Sequence, residues 1–340
     1  MKRWFLLVLL FVVLIGLLLE TSFVSSEINS ALALDSVTIH PTIDSQTFNP
    51  PDDPFFDKQW ALTKMRVPQA WQITEGSPEV IIAILDTGID KDHKDLVGSV
   101  IAEVNFGDSN TVKDIDGHGT HIAGIIAGNT NNKLGIAGIS SNSRLLSVKI
   151  TDDTGVFLNS DVLTKGIIWA VDKGAKVINI SLTCRQPSAA LKNAIDYAWE
   201  RGVVIVAASN ELELSGIIYP ASYQNCLAVA STNQNDLMPS WAENSDWIDV
   251  MAPGAKIYST LPNNSYSYKS GDSCAAAQVS GLAALLFSVV TDENNNGFLN
   301  DEVRAIIESS GVDINIGGIN KKRIDAFDAV NKGITLKEYY

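Results

Sequence analysis

At 340 residues, 46% of them apolar, the chain has ample material for one large domain or two. Its formal charge of −14 argues against a nucleic-acid partner, whose phosphates call for lysine and arginine, and favours a soluble, acid-rich surface that tolerates cations. Cys184, Cys226 and Cys274 are too few and odd in number for a disulfide framework; one pair could form, and the spacing does not choose it.

The N-terminus has the order of an export signal. Lys2 and Arg3 precede an apolar run over 4–19. The run is slightly short for a comfortable membrane span. Small residues at 24–26 and 31–33 make no clean cleavage site. Segment 1–20 is therefore either a removed signal peptide or a retained membrane tether, and the rest of the chain is expected outside the cytoplasm. Residues 21–51 are polar and carry Pro41, Pro50 and Pro51, as a linker or short pro-segment does. One domain is expected over 52–340. It opens on an arm at 53–72, where Phe55, Phe56, Trp60, Met65 and Trp71 are set to pack on the main body.

An alternation follows. The continuous apolar run 80–85 predicts a strand buried on both faces. Small and apolar residues at 118–127 predict a helix. Strands are expected at 145–150, 177–180, 203–208, 226–230 and 247–251, and helices at 161–173 and 189–201, the latter stopped by Gly202. Residues 270–290 are small or apolar on nearly every face from Cys274 on, as in a helix at the centre of a protein. Gly271 is expected to let the chain turn sharply into it. Helices at 303–308 and 324–330 close the chain. The reading is an α/β fold: a doubly wound, mostly parallel sheet with helices on both faces.

Function in such sheets gathers where strands end and helices begin. Asp86-Thr87-Gly88 follows the first strand. Asp116-Gly117-His118-Gly119-Thr120-His121 opens a helix. Ala208-Ser209-Asn210-Glu211 follows the strand at 203–208, and Gly271-Asp272-Ser273 opens the central helix. Taken singly, each has a plain reading as a turn or cap. Together they supply an acid, a base, an amide donor and a nucleophile, the set that acyl transfer needs.

These motifs, with Met251-Ala252-Pro253-Gly254 and Tyr258-Ser259-Thr260-Leu261-Pro262, resemble in order the signatures of the subtilisin family of serine proteases, nearest its thermitase-like members. The resemblance runs from about 53 to 330. It implies an exported serine endopeptidase with Ser273 as nucleophile, His118 as base and Asp86 as its orienting acid. The Asn210 side chain and the Ser273 N–H would hold the oxyanion. His121 matches a family position outside the triad, and a metal role for it lacks ligands. Ser181, Leu182 and Thr183 would form one wall for an extended polypeptide substrate, with Gly155 on the opposite edge. Structural Ca²⁺ is implied, with side chains of Asp53, Asp95 and Asn132 and carbonyls of Asn129, Leu134 and Ile136. A second site near Asn105, Asp108 and Asn110 would be weaker, since its loop differs in length. A monomer is expected.

The chain also departs from the family pattern. Gly-Asp-Ser-Cys-Ala-Ala-Ala-Gln stands for the usual Gly-Thr-Ser-Met-Ala-Ser-Pro-His. Asp272 either faces the site, opposing the oxyanion and favouring a protonated His118, or turns away harmlessly. Thr183 and Ser209 replace glycines, which narrows the pocket towards small or slender side chains unless the backbone shifts. A weakly active or inactive relative that binds peptides at the cell surface is the competing reading. A nucleotide enzyme is disfavoured, because no Gly-x-Gly-x-x-Gly follows the first strand. Finally, residues 292–297 begin like an EF-hand loop, but the glutamate that loop requires falls on Val303, so a solvated turn is expected there.

Overall fold

A computed structural model of the protein describes residues 49–157, 159–209, 217–242, 245–316 and 318–337. The leader and linker at 1–48 lie outside them. Among the described residues no helix is long and apolar enough to cross a membrane.

The arm at 53–72 is a short 3₁₀ turn, Phe56–Lys58, then α1 (Trp60–Lys64) and α2 (Val67–Ala70). The alternation follows as β1 (Ile81–Asp86), β2 (Val100–Asn105), α3 (His118–Ala127), β3 (Arg144–Lys149), α4 (Ser160–Asp172), β4 (Val177–Ile180), α5 (Ala189–Trp199), β5 (Val204–Ala208) and β6 (Cys226–Thr232). The chain continues with β7 (Val250–Pro253), the hairpin β8 (Ile257–Leu261) and β9 (Ser265–Lys269), α6 (Asp272–Phe287) and α7 (Asn300–Ser309). A second hairpin, β10 (Val312–Ile316) and β11 (Ile319–Arg323), leads into α8 (Ala326–Lys337).

Nine strands form one sheet in the order β10-β11-β7-β6-β5-β4-β1-β3-β2. Every pairing in it is parallel except β10 with β11. β1 lies third from the β2 edge, inside the sheet, and its residues alternate between two cores. Ile82 and Ile84 join α3, α6 and the arm on one face, while Ala83 and Leu85 join α4 and α5 on the other. This is why the run needed to be apolar at every position. α6 is buried on all sides, from Asp272 to Leu286.

The doubly wound reading holds, and three features differ from expectation. Gly271 has φ 164° and ψ 160°, which is extended backbone, so no special turn is required of it. The strand expected at 247–251 begins at Val250; just ahead of it the Asp249 carboxylate, rather than a backbone carbonyl, accepts the Ala228 N–H. β2 and the two hairpins were not foreseen. β2 is a half-exposed edge strand with a bulge, so it lacks the all-apolar signal. The β8–β9 turn is Asn263-Asn264, with φ 63° and 58°, the left-handed pair that tight hairpins favour.

Candidate active site

β1 ends on Asp86, which is fully buried. His118 is the first residue of α3, and its Nδ1 donates to Asp86 Oδ1 at 2.7 Å. The same oxygen accepts the Thr87 N–H at 2.8 Å. The imidazole keeps 20% of its side-chain surface open, so the ring is held at Nδ1 yet stays partly accessible. The contact depends on a close approach of α3 to the end of β1. A Cβ on Gly119 would lie 2.1 Å from the Gly88 carbonyl oxygen, so only glycine fits beside His118.

Asp114 is a positioning residue that the sequence reading overlooked. Gly117 offers no side chain to cap α3. The buried Asp114 carboxylate instead accepts the N–H groups of Gly117 at 2.7 Å and Thr120 at 2.9 Å, and the hydroxyls of Thr87 at 2.8 Å and Thr120 at 2.6 Å. Four donors tie the start of α3 to the end of β1. The available signal was an acid just ahead of a helix start, the ordinary sign of a cap.

Ser273 occupies the first turn of α6 and is 4% exposed. Its Oγ lies 3.4 Å from the Ser181 carbonyl oxygen. Ser181 and Leu182 follow β4 and are buried, and Thr183 is half-buried beside them. This segment therefore borders the serine. Gly155, at φ 80°, sits against Asp116, whose Oδ1 accepts the His118 N–H at 3.0 Å. Ser181 thus lies next to Ser273, and Gly155 next to Asp116. Asn210 lies outside the described residues.

Asp272 is 1% exposed and faces neither solvent nor bulk water in the cleft. Ser209, itself fully buried, donates from Oγ to Asp272 Oδ2 at 2.6 Å. The two departures from the family pattern are therefore one hydrogen-bonded pair. The Ser209 hydroxyl is committed to Asp272.

His121, one turn beyond His118, is not set up for metal. Its Nε2 lies 3.1 Å from the Ile257 carbonyl oxygen and 3.2 Å from that of Ser267. It joins α3 to both strands of the β8–β9 hairpin. Burial, then the nearby His118, lowers its pKa to about 3, so the ring stays neutral. Cys274 is buried in α6, and burial raises its thiol to about 12; all three cysteines are free.

The residues expected to hold calcium converge from three parts of the chain. Asp53 accepts the N–H groups of Asn131 at 2.9 Å and Asn132 at 3.2 Å. Asp95 accepts the Asn132 side-chain amide, the Ile136 N–H and the Tyr266 hydroxyl, each at 2.9 Å. Asn132 Oδ1 accepts the Leu134 N–H at 2.7 Å, and the Asn129 N–H donates to the Asp95 carbonyl oxygen at 2.7 Å. A Cβ on Gly135 would lie 2.0 Å from Asp95 Oδ2, so the loop wraps that carboxylate closely. Asp53 is raised above the ordinary carboxylate value, chiefly by burial and in part by the charge of Asp95. Two buried carboxylates held by neutral donors fit a hard divalent cation. Among the described residues no three acidic, histidine or cysteine side chains converge as a metal set, so an ion here must also draw on amide and carbonyl oxygens.

The loop at 105–113 is arranged differently. Asn105 donates its amide to the Ser109 carbonyl at 2.5 Å. Beneath the loop the fully buried Lys149 ammonium donates to Asp153 at 2.8 Å and to the Lys113 carbonyl at 3.0 Å.

Known proteins resemble the chain over most of its length. The profile of the subtilase family matches residues 77–326. A thermophilic serine proteinase of Bacillus sp. (strain AK1) is 41% identical over 284 residues, covering 82% of this chain and 69% of that protein. Thermitase of Thermoactinomyces vulgaris is also 41% identical over 284 residues, covering 82% of this chain and 99% of that protein. Among solved structures, a protease from Pseudoalteromonas arctica PAMC 21717 superposes with a TM-score of 0.75 at 28% identity, over 84% of this chain and all of the other. The chain belongs to the subtilase family and is a subtilisin-like serine endopeptidase.

Proposed function

We propose that the protein hydrolyses polypeptides through Asp86, His118 and Ser273. Ser273 attacks the scissile carbonyl, and His118 takes its proton and returns it to the leaving amine. Asp86 holds the imidazole in the tautomer that leaves Nε2 free to act, and it stabilises the imidazolium once formed. The Ser273 N–H, at the start of a long helix, and the Asn210 side chain are the oxyanion donors in this reading. The observation that carries it is the 2.7 Å contact of a fully buried Asp86 with the inner nitrogen of a partly exposed His118.

The extended substrate lies between the 181–183 segment and Gly155, and its pocket favours small or slender side chains. Calcium at Asp53, Asp95 and the 129–136 loop acts structurally, neutralising two buried carboxylates and fixing the arm to that loop. The apolar run at 4–19 exports the chain, either as a cleaved signal peptide or as a tether, so the protease works outside the cytoplasm.

A fluorophosphonate probe tests the nucleophile. The folded protein is expected to label, and Ser273→Ala is expected to lose all labelling and all peptide hydrolysis. Equal labelling of Ser273→Ala would refute the assignment. Absence of labelling in well-folded wild type would favour a peptide-binding relative without turnover.

A further inference from the structure

The loop at 292–302 joins α6 to α7 and takes no part in the site described above. Its sequence, Asp-Glu-Asn-Asn-Asn-Gly-Phe-Leu-Asn-Asp-Glu, places oxygen-bearing side chains at the first, third and fifth positions and glycine at the sixth, as a calcium loop does. Position twelve is Val303, which is fully buried and offers no ligand. On the sequence alone that vacancy argued for a plain turn.

The fold fills the gap from the preceding two residues. The Asp301 and Glu302 carboxylates, in the first turn of α7, swing back onto the loop. Asp301 Oδ2 accepts the side-chain amides of Asn294 at 2.6 Å and Asn296 at 3.0 Å. Glu302 Oε1 accepts the same Asn294 amide at 3.1 Å and the Glu293 N–H at 3.2 Å. Asp292 closes the other side, with Oδ2 accepting the Gly297 N–H at 2.7 Å.

Glu302 is the informative residue. It is only 9% exposed, yet its Oε2 is buried and accepts no hydrogen bond. Asp301 Oδ1 is buried and unbonded in the same way. The two carboxylates lie within hydrogen-bonding reach of each other, where as ions they repel. None of the three acids Asp292, Asp301 and Glu302 has a lysine or arginine partner among the described ion pairs. Buried anionic oxygens without a counter-charge are costly unless a cation meets them.

We propose that the 292–302 loop is a calcium site, separate from the one at Asp53 and Asp95: Asp301 and Glu302 supply carboxylate oxygens, Asn294 and Asn296 amide oxygens, and Asp292, which makes no converged trio with those two acids, closes on the ion from the far side of the loop. The all-oxygen, mixed carboxylate and amide set suits Ca²⁺ rather than a softer metal. The ion would pin the start of α7 to the end of α6, the helix that carries Ser273.

The test uses the full chain with Ser273→Ala to prevent self-digestion, and compares it with the same protein carrying Glu302→Gln or Asp292→Asn. Calcium bound per chain is counted by equilibrium dialysis, and Tm is measured in excess calcium and in chelator. Each added substitution is expected to remove one calcium per chain and leave the ion at Asp53 and Asp95 in place. Glu302→Gln keeps an acceptor for Glu293 and removes a repelling charge, so its Tm in chelator should equal or exceed the parent's while its gain on adding calcium shrinks. Equal calcium counts in parent and variants would overturn the proposal. So would a Tm loss of the same size with and without calcium, which is the mark of a purely structural glutamate.

Discussion

Two aspartates and two histidines of the active-site region, Asp86 with His118 and Asp272 with His121, lie in opposite surroundings. Asp86 and His118 are bonded to each other, with the imidazole one-fifth exposed. Asp272 and His121 are sealed in and bonded to neutral groups, the Ser209 hydroxyl and two backbone carbonyls. In the first pair a buried carboxylate fixes a ring that stays partly exposed, and in the proposed mechanism that ring alone exchanges the proton. The second pair touches only protein and serves the scaffold. Residue type and nearness to Ser273 do not separate the two roles; the partner and the exposure do.

Breaking the first pair should have the largest effect. Asp86→Asn keeps the shape but offers His118 the wrong tautomeric partner, and kcat is expected to fall by about four orders of magnitude. Steady-state hydrolysis of a chromogenic peptide measures this. A fall of less than tenfold would remove Asp86 from the mechanism.

The second histidine should show itself in stability. Burial holds the folded pKa of His121 near 3, against an ordinary value near 6.5 in the unfolded chain. Between these limits the unfolded chain takes up a proton that the folded chain refuses, so stability rises with pH. The contribution is whole above about pH 6.5 and is lost as pH falls towards 3, at up to about 1.4 kcal/mol per pH unit. Urea unfolding of the Ser273→Ala protein at a series of pH values from 7 to 4 should show this slope. His121→Asn should flatten it, and an unchanged slope would show that His121 is not its source.

The Asp272–Ser209 pair sharpens the contrast at smaller scale. Asp272→Ala strands a fully buried hydroxyl and is expected to cost about 1–3 kcal/mol of unfolding free energy. Asp272→Asn keeps an acceptor and should cost less, with kcat altered far less than by Asp86→Asn. If Asp272→Asn instead matched the Asp86→Asn loss of rate, Asp272 would belong to the reacting groups and the division drawn here would fail.

Much of this site was legible in the sequence because its parts are local. Each motif sits where a buried strand ends or a helix begins, and the apolar runs at β1 and α6 show both faces covered. What was not legible depended on partners far along the chain. The pairing of Ser209 with Asp272 spans 63 residues, and the Tyr266–Asp95 contact spans 171. Asp114 was missed because its four donors come from two different elements. The contacts of Asp301 and Glu302 with the 292–297 turn were likewise not legible, because only the first turn of α7 brings those carboxylates back onto it.

The sequence by itself determined most of the sheet, the central helix and the order of the proposed acid, base and nucleophile, because burial pattern and turn chemistry are properties of neighbouring residues. Only the tertiary structure decided which aspartate meets which histidine, whether Asp272 meets water or a hydroxyl, and where buried carboxylates are left without a counter-charge. Those outcomes follow from distances between chain-remote groups in a low-dielectric interior, where a partner a few ångströms away sets the charge a side chain can hold.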